Sequence, residues 1–183
     1  MRFRLVLAFF VASALALAAD PLEFQIGAFT FERPAGWKWI TPSGPMRRAQ
    51  LEVPGTDNEK ADVTFFHFGS GQGGGIEANI DRWLGQFQGG SSSRSESAQG
   101  RTRIYFVQAS GTFQSGMPGG PTTPLENQAL FGAIIADAES GDVFVKMTGP
   151  KALVDSASVL FKEMTTRAAA TRSEPSHSPS SNP

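Results

Sequence analysis

The chain has 183 residues, 40 % of them hydrophobic, with 16 basic and 17 acidic residues and no cysteine. That length and composition fit one domain with a sizeable core, and they exclude a disulfide scaffold, thiol catalysis and thiolate metal sites. The charges are evenly mixed, so there is no electrostatic footprint for nucleic acid or an anionic membrane.

Met1-Arg2-Phe3-Arg4 is a short basic start, Leu5 to Ala18 is apolar apart from Ser13, and Ala16-Leu17-Ala18 has the small-x-small pattern of a cleavage site. The expectation is a secretory signal peptide over residues 1–18, cut after Ala18. The apolar run is well short of the roughly 20 residues of a spanning helix, so no membrane attachment is expected after cleavage. Losing Arg2 and Arg4 takes the 16 basic residues to 14 against 17 acidic, a net charge of −3. Without a cysteine to acylate, the mature chain is expected to be soluble, in the periplasm or outside the cell.

The mature region, residues 19–166, opens with Leu22, Phe24 and Ile26 alternating with polar residues, and Phe29 and Phe31 continue the alternation after Gly27. This predicts a strand, or a strand pair broken at Gly27. Pro34-Ala-Gly36 ends it, and the spacing of Trp37 and Trp39 puts both indoles on one face of an extended segment. Arg48 to Val53 and Asp62 to Phe68 follow as strands, joined by a turn-rich link too short for a parallel crossover.

Gly69-Ser-Gly-Gln-Gly-Gly-Gly75 then leads into a helix with apolar residues at Ile76, Ile80, Trp83, Leu84 and Phe87, a single stripe. The run Gln88 to Gly100 reads as a polar low-complexity loop, Arg103 to Phe113 as a long strand, and Gln114 to Pro124 as a second long loop. Ala129 to Ala136 is apolar on both faces, the mark of a covered central strand, and Val143 to Met147 returns antiparallel to it. Pro150 suits the first position of a helix whose stripe is Leu153, Val154, Ala157, Leu160, Phe161 and Met164. Residues 167–183 read as a disordered Ser- and Pro-rich tail.

The letters Gly69-x-Gly71-x-x-Gly74 match a dinucleotide fingerprint, but their context does not: no parallel βαβ unit is expected, and the next strand ends in no carboxylate. The glycines are read first as a sharp strand-to-helix turn. The free N–H groups at Gly71, Gln72, Gly73 and Gly74 form a speculative contact for a small anion or a protein partner, with the basic pair Arg47 and Arg48 as further candidates. His67 lacks the partners of a catalytic triad or a metal site and reads as a strand-end residue sharing its hydrogen bonds with the adjoining glycine loop. Asp137, Glu139 and Asp142 cluster in one turn, where acids are ordinary. Catalytic residues, metal ligands and cofactors are therefore all expected to be none.

The order of elements, with Phe29-Thr-Phe-Glu-Arg-Pro-Ala-Gly-Trp37 opening the domain and a strand-to-helix segment from Val143 to Met164 closing it, resembles the PsbP/Mog1-like fold. It is most similar to secreted bacterial members without an assigned activity. The resemblance implies an α+β domain: a mostly antiparallel sheet of about six strands sandwiched with two principal helices. It also implies a non-catalytic binding or accessory role, since better-known members dock onto partners. The alternative is a carboxylate-dependent hydrolase or transferase with unidentified residues.

Overall fold

The computed structural model describes residues 20–116 and 121–172. The signal-peptide expectation, residues 1–18, lies outside them, as does the tail from residue 173 onward. The fold is α+β: the described residues form a two-stranded hairpin, a large antiparallel sheet and two helices. The hairpin is β1 (Glu23–Ile26) and β2 (Phe29–Glu32), with Ile26 opposite Phe29 across a two-residue turn. Gly27 makes that turn at φ +58°, and a Cβ there would stand 2.9 Å from His67 Nε2.

The large sheet has more strands than the six expected. A first meander comprises β3 (Lys38–Ile40), β4 (Arg47–Pro54) and β5 (Lys60–His67). Helix α1 (Ile76–Leu84) then carries the chain across one face to the far edge. There β6 (Phe87–Gln88) and β7 (Ser92–Gln99) both pair with β8 (Thr102–Gly116). The chain meanders back through β9 (Thr122–Ala136) to β10 (Val143–Pro150), which closes against β5. The order is β3-β4-β5-β10-β9-β8-β6, every pairing antiparallel.

Alternation along the strands divides the core in two. One face buries Leu51, Val63, Phe65, Phe106, Ile135 and Met147 beneath the hairpin and helix α2 (Lys151–Ala170). Phe24, Phe31 and Phe65 meet there at ring separations of 5.1–5.6 Å, the range in which aromatic pairs add to simple burial. Trp37 is buried in this layer, and Trp39 packs edge-on to Phe24. The opposite face buries Val107, Leu130, Ile134 and Phe144 beneath Ile80 and Trp83 of α1.

Several expectations are corrected. Residues 88–100 are not a loop: β7 takes eight of them, paired residue for residue with β8. Main-chain hydrogen bonds hold an edge strand whatever its side chains, and a Ser-rich strand solvated on both faces shows no period-two signal. Arg94 on β7 also reaches Glu77 and Asp81 of α1, at 2.8 and 2.6 Å. Of the loop expected over Gln114 to Pro124, residues 114–116 and 122–124 are instead strand, with Gly116 opposite Thr122, and residues 117–120 lie outside those described.

Helix α1 stops at Gly85, whose amide bonds Asp81 O, and Phe87 turns away into β6. Pro150 caps α2 rather than opening it. That helix also runs past Arg167: Ala168 and Ala169 are buried, while Leu160 faces solvent at 42 % exposure. Small alanines let the last turn sit close to the hairpin, which a hydrophobicity reading of the tail does not register. Thr171 Oγ1 donates to Thr30 O at 3.1 Å, and Arg172 binds Asp137 and Glu139.

Candidate functional site

Seven strand positions at ~4.8 Å spacing make a face roughly 29 Å wide. A nine-residue helix is only ~14 Å long. Helix α1 therefore covers part of its face and leaves a cleft beside it, of about 530 Å³, within the range of small-molecule sites.

The apolar wall comes from both sides of the cleft. Phe66 of β5 and Phe144 of β10 are opposite each other in register, and Trp83 of α1 meets Phe144 edge-on at 6.5 Å. Phe68 stacks 6.4 Å from Phe66 and lies 6.0 Å from Phe144. Phe68 and Met46 are 39 % and 65 % exposed at the mouth.

Among the described residues two cations line the cleft, Arg82 of α1 and Lys146 of β10, and no carboxylate does. Lys146 is two residues beyond Phe144, so period two places it on the same face. Its ammonium donates to Gln86 Oε1 at 2.5 Å and sits 5.5 Å from the centre of the Phe113 ring. Burial, and then the nearby charge of Arg82, pull its pKa down to about 8. Arg82 donates to Asn79 Oδ1. Among the described residues neither cation forms an ion pair.

The glycine loop borders the apolar end of this cleft. Gly71, Gly73 and Gly74 have φ of +69°, +88° and +80°, a region open mainly to glycine. A Cβ on Gly73 would meet Phe68 at 2.8 Å and Phe144 at 3.0 Å. Asn79 closes the loop onto the helix by donating to Gly73 O and Gly75 O, at 2.9 and 3.0 Å. The Gln72 amide is used within the loop, bonding Gly69 O. β5 pairs only with antiparallel neighbours, β4 and β10, so the loop does not open a parallel βαβ unit.

Arg47 and Arg48 sit at a register shift of β4. Arg47 binds Ser43 Oγ and Gln50 Oε1, and Arg48 binds His67 O. The candidates are thus split: Gly73 touches the cleft's aromatic wall, whereas Arg47 and Arg48 spend donors on neighbouring loops and strands.

His67 ends its strand as expected, but its ring bonds the β9–β10 turn rather than the glycine loop, Nε2 lying 2.9 Å from Ser140 O. Asp137 is committed to structure. Burial raises its pKa, but hydrogen bonds from Arg172, the Ser140 hydroxyl and the Glu139 and Ser140 amides outweigh that and bring it to about 2. Among the described residues no group of three or more His, Cys, Asp or Glu is placed to hold a metal ion, and no helix is long and apolar enough to cross a membrane.

Sequence reasoning missed Arg82 and Lys146. Each reads as an ordinary solvent-facing charge, and the only hint is Lys146 sharing a strand face with Phe144.

No family model matches the chain, and neither does any curated protein. Among solved structures it is similar to the solution structure of cyanobacterial PsbP (CyanoP) from Synechocystis sp. PCC 6803. The two share 11 % sequence identity, over 86 % of this chain and 95 % of that one, at a TM-score of 0.48. The likeness is PsbP-like and concerns the fold alone. The function has to be sought in the cleft itself.

Proposed function

We propose that this chain is an exported, non-catalytic binding or accessory domain, and that the cleft beside α1 is where it takes a small ligand with an apolar body. The observation that carries this reading is the cleft's make-up: four aromatic side chains and Met46 around a 530 Å³ space, with few polar groups to fix orientation, the usual balance of a ligand site. The alternative of a carboxylate-dependent hydrolase or transferase is not favoured there, because among the described residues no Asp or Glu lines the cleft. Acid–base or nucleophilic work by carboxylates needs two of them, or one with an activated water, facing a common space.

The test is a titration of the full chain with decanol, a neutral probe, followed by amide chemical shifts. Changes centred on Phe66, Trp83 and Phe144 are expected. Changes confined to the α2 face, or none at saturation, contradict the reading. Export is checked separately by mass spectrometry of the protein from its native compartment, with Ala19 expected as the first residue and an intact Met1 as the contrary result.

A further inference from the structure

We infer that the ligand of this cleft is an amphiphilic monocarboxylate, its head held between Lys146 and Arg82 and its apolar body lying along Trp83, Phe66, Phe144 and Phe68. The inference rests on the cleft being a ligand site, and adds the chemical class of the occupant.

The cleft has two different ends. Along β10, Lys146 and Phe144 project from the same face one strand repeat apart, about 7 Å. At the Lys146 end stand Gln86, bonded to the ammonium, and Phe113, over which it lies. At the other end Phe68 closes against Phe144, beneath the Gly73 turn. The Lys146 ammonium marks one end and Phe66, Phe68 and Phe144 gather at the other, while Arg82, bonded to Asn79, lines the α1 wall, an arrangement that matches an amphiphile rather than a free inorganic anion or a uniformly apolar molecule.

Charge complementarity fixes the sign. Lys146 and Arg82 line one apolar cleft, and no ion pair with a carboxylate is formed by either among the described residues. Like charges brought together in a low-dielectric space repel and lose hydration. The lowered pKa of Lys146 is what that combination produces. A bound anion reverses both penalties, because the attraction between opposite charges strengthens where water is displaced.

A carboxylate supplies one negative charge on two oxygens, one for the ammonium and one for the guanidinium. A phosphate monoester brings nearly twice the charge and a third oxygen into a lining whose other residues are neutral, where an unmatched charge is costly.

The experiment is calorimetry on the full chain with decanoate, decanol, acetate and decyl phosphate, each below its micelle concentration. Decanoate is expected to bind roughly tenfold or more tightly than decanol, the difference a charged hydrogen bond makes, and acetate far more weakly than either. Lys146→Met is expected to narrow the gap between decanoate and decanol, and Lys146→Met with Arg82→Met to close it, with far-ultraviolet circular dichroism showing that each variant folds; a gap unchanged in the double variant overturns the assignment of the head. Equal affinity for decanoate and decanol overturns the carboxylate assignment and leaves the cleft as a neutral apolar site. Tighter binding of decyl phosphate overturns it in favour of a phosphate head. Acetate binding as tightly as decanoate means a bare anion site and overturns the amphiphile. Failure of all four ligands removes the binding reading together with the inference.

Discussion

The Trp83 indole lies against the backbone of Gly132: a methyl group on residue 132 would stand 2.5 Å from the indole Cζ3 and 2.7 Å from Cε3. Those distances are well inside van der Waals contact, and the indole is 6 % exposed, so it has little room to retreat. Helix α1 is docked on the sheet through this contact. Gly132→Ala is expected to lower stability by about 1–3 kcal/mol, the range for overpacking a filled site, and to displace α1 from the cleft wall. Chemical denaturation measures the first effect and near-ultraviolet circular dichroism of the indole the second. An unchanged midpoint would show that Trp83 moves aside freely.

The glycine turn gives a graded prediction. Gly71 and Gly73 both have positive φ, but a Cβ on Gly71 meets nothing within 4 Å, whereas one on Gly73 runs into Phe68 and Phe144. Gly71→Ala should cost about 1–2 kcal/mol from the left-handed backbone alone, and Gly73→Ala more, since it adds a clash. Thermal melts of the two variants test the order. The reverse ranking would mean that the aromatic wall is soft.

Lys146 makes stability depend on alkaline pH. Its folded pKa of about 8 lies below the ordinary 10.5, so between those values the unfolded chain holds more protons than the folded one. Stability therefore rises with pH through that window, and below it the full penalty applies, up to about 3 kcal/mol. Lys146→Met should be at least as stable as the parent at neutral pH, with its advantage shrinking toward pH 10.5. A Met variant that is less stable at neutral pH would make the lysine a structural residue.

Asp137 sets the acid limb. Its pKa falls from 3.8 to about 2, so the stability it contributes is complete above the higher value and is lost as pH drops through the lower one. Removing the guanidinium by Arg172→Gln should raise the Asp137 pKa and shift acid unfolding to higher pH. Following that midpoint in parent and variant decides it, and coincident curves would show that the Ser140 and backbone hydrogen bonds are sufficient.

The sequence disclosed the elements that bury one side. Phe29 and Phe31, Leu51 and Val53, and the doubly covered run from Ala129 to Ala136 all show their environment in their spacing, and so does the stripe of α1. β7 was hidden because Ser92 to Gln99 owes its place to main-chain bonding with β8, about which a row of serines says nothing. Arg172 was hidden because its worth lies in carboxylates 33 and 35 residues earlier. The glycine loop was legible as a turn, and its neighbourhood was not: only the register that puts Phe66 opposite Phe144 shows that the turn closes one end of a cleft. Lys146 was unreadable for a similar reason, since a lysine in a strand is ordinary until the strand is found at the centre of a sheet.

The hydroxyl of Thr171 reaches the carbonyl of Thr30, 141 residues away along the chain. Everything from the hairpin to Thr171 must leave the ribosome before the hairpin, the sheet and the end of α2 can close on one another. The central strands β9 and β10 are also among the last to emerge. Early products of synthesis therefore hold a meander with no partner for either face, and contacts this distant in sequence slow folding.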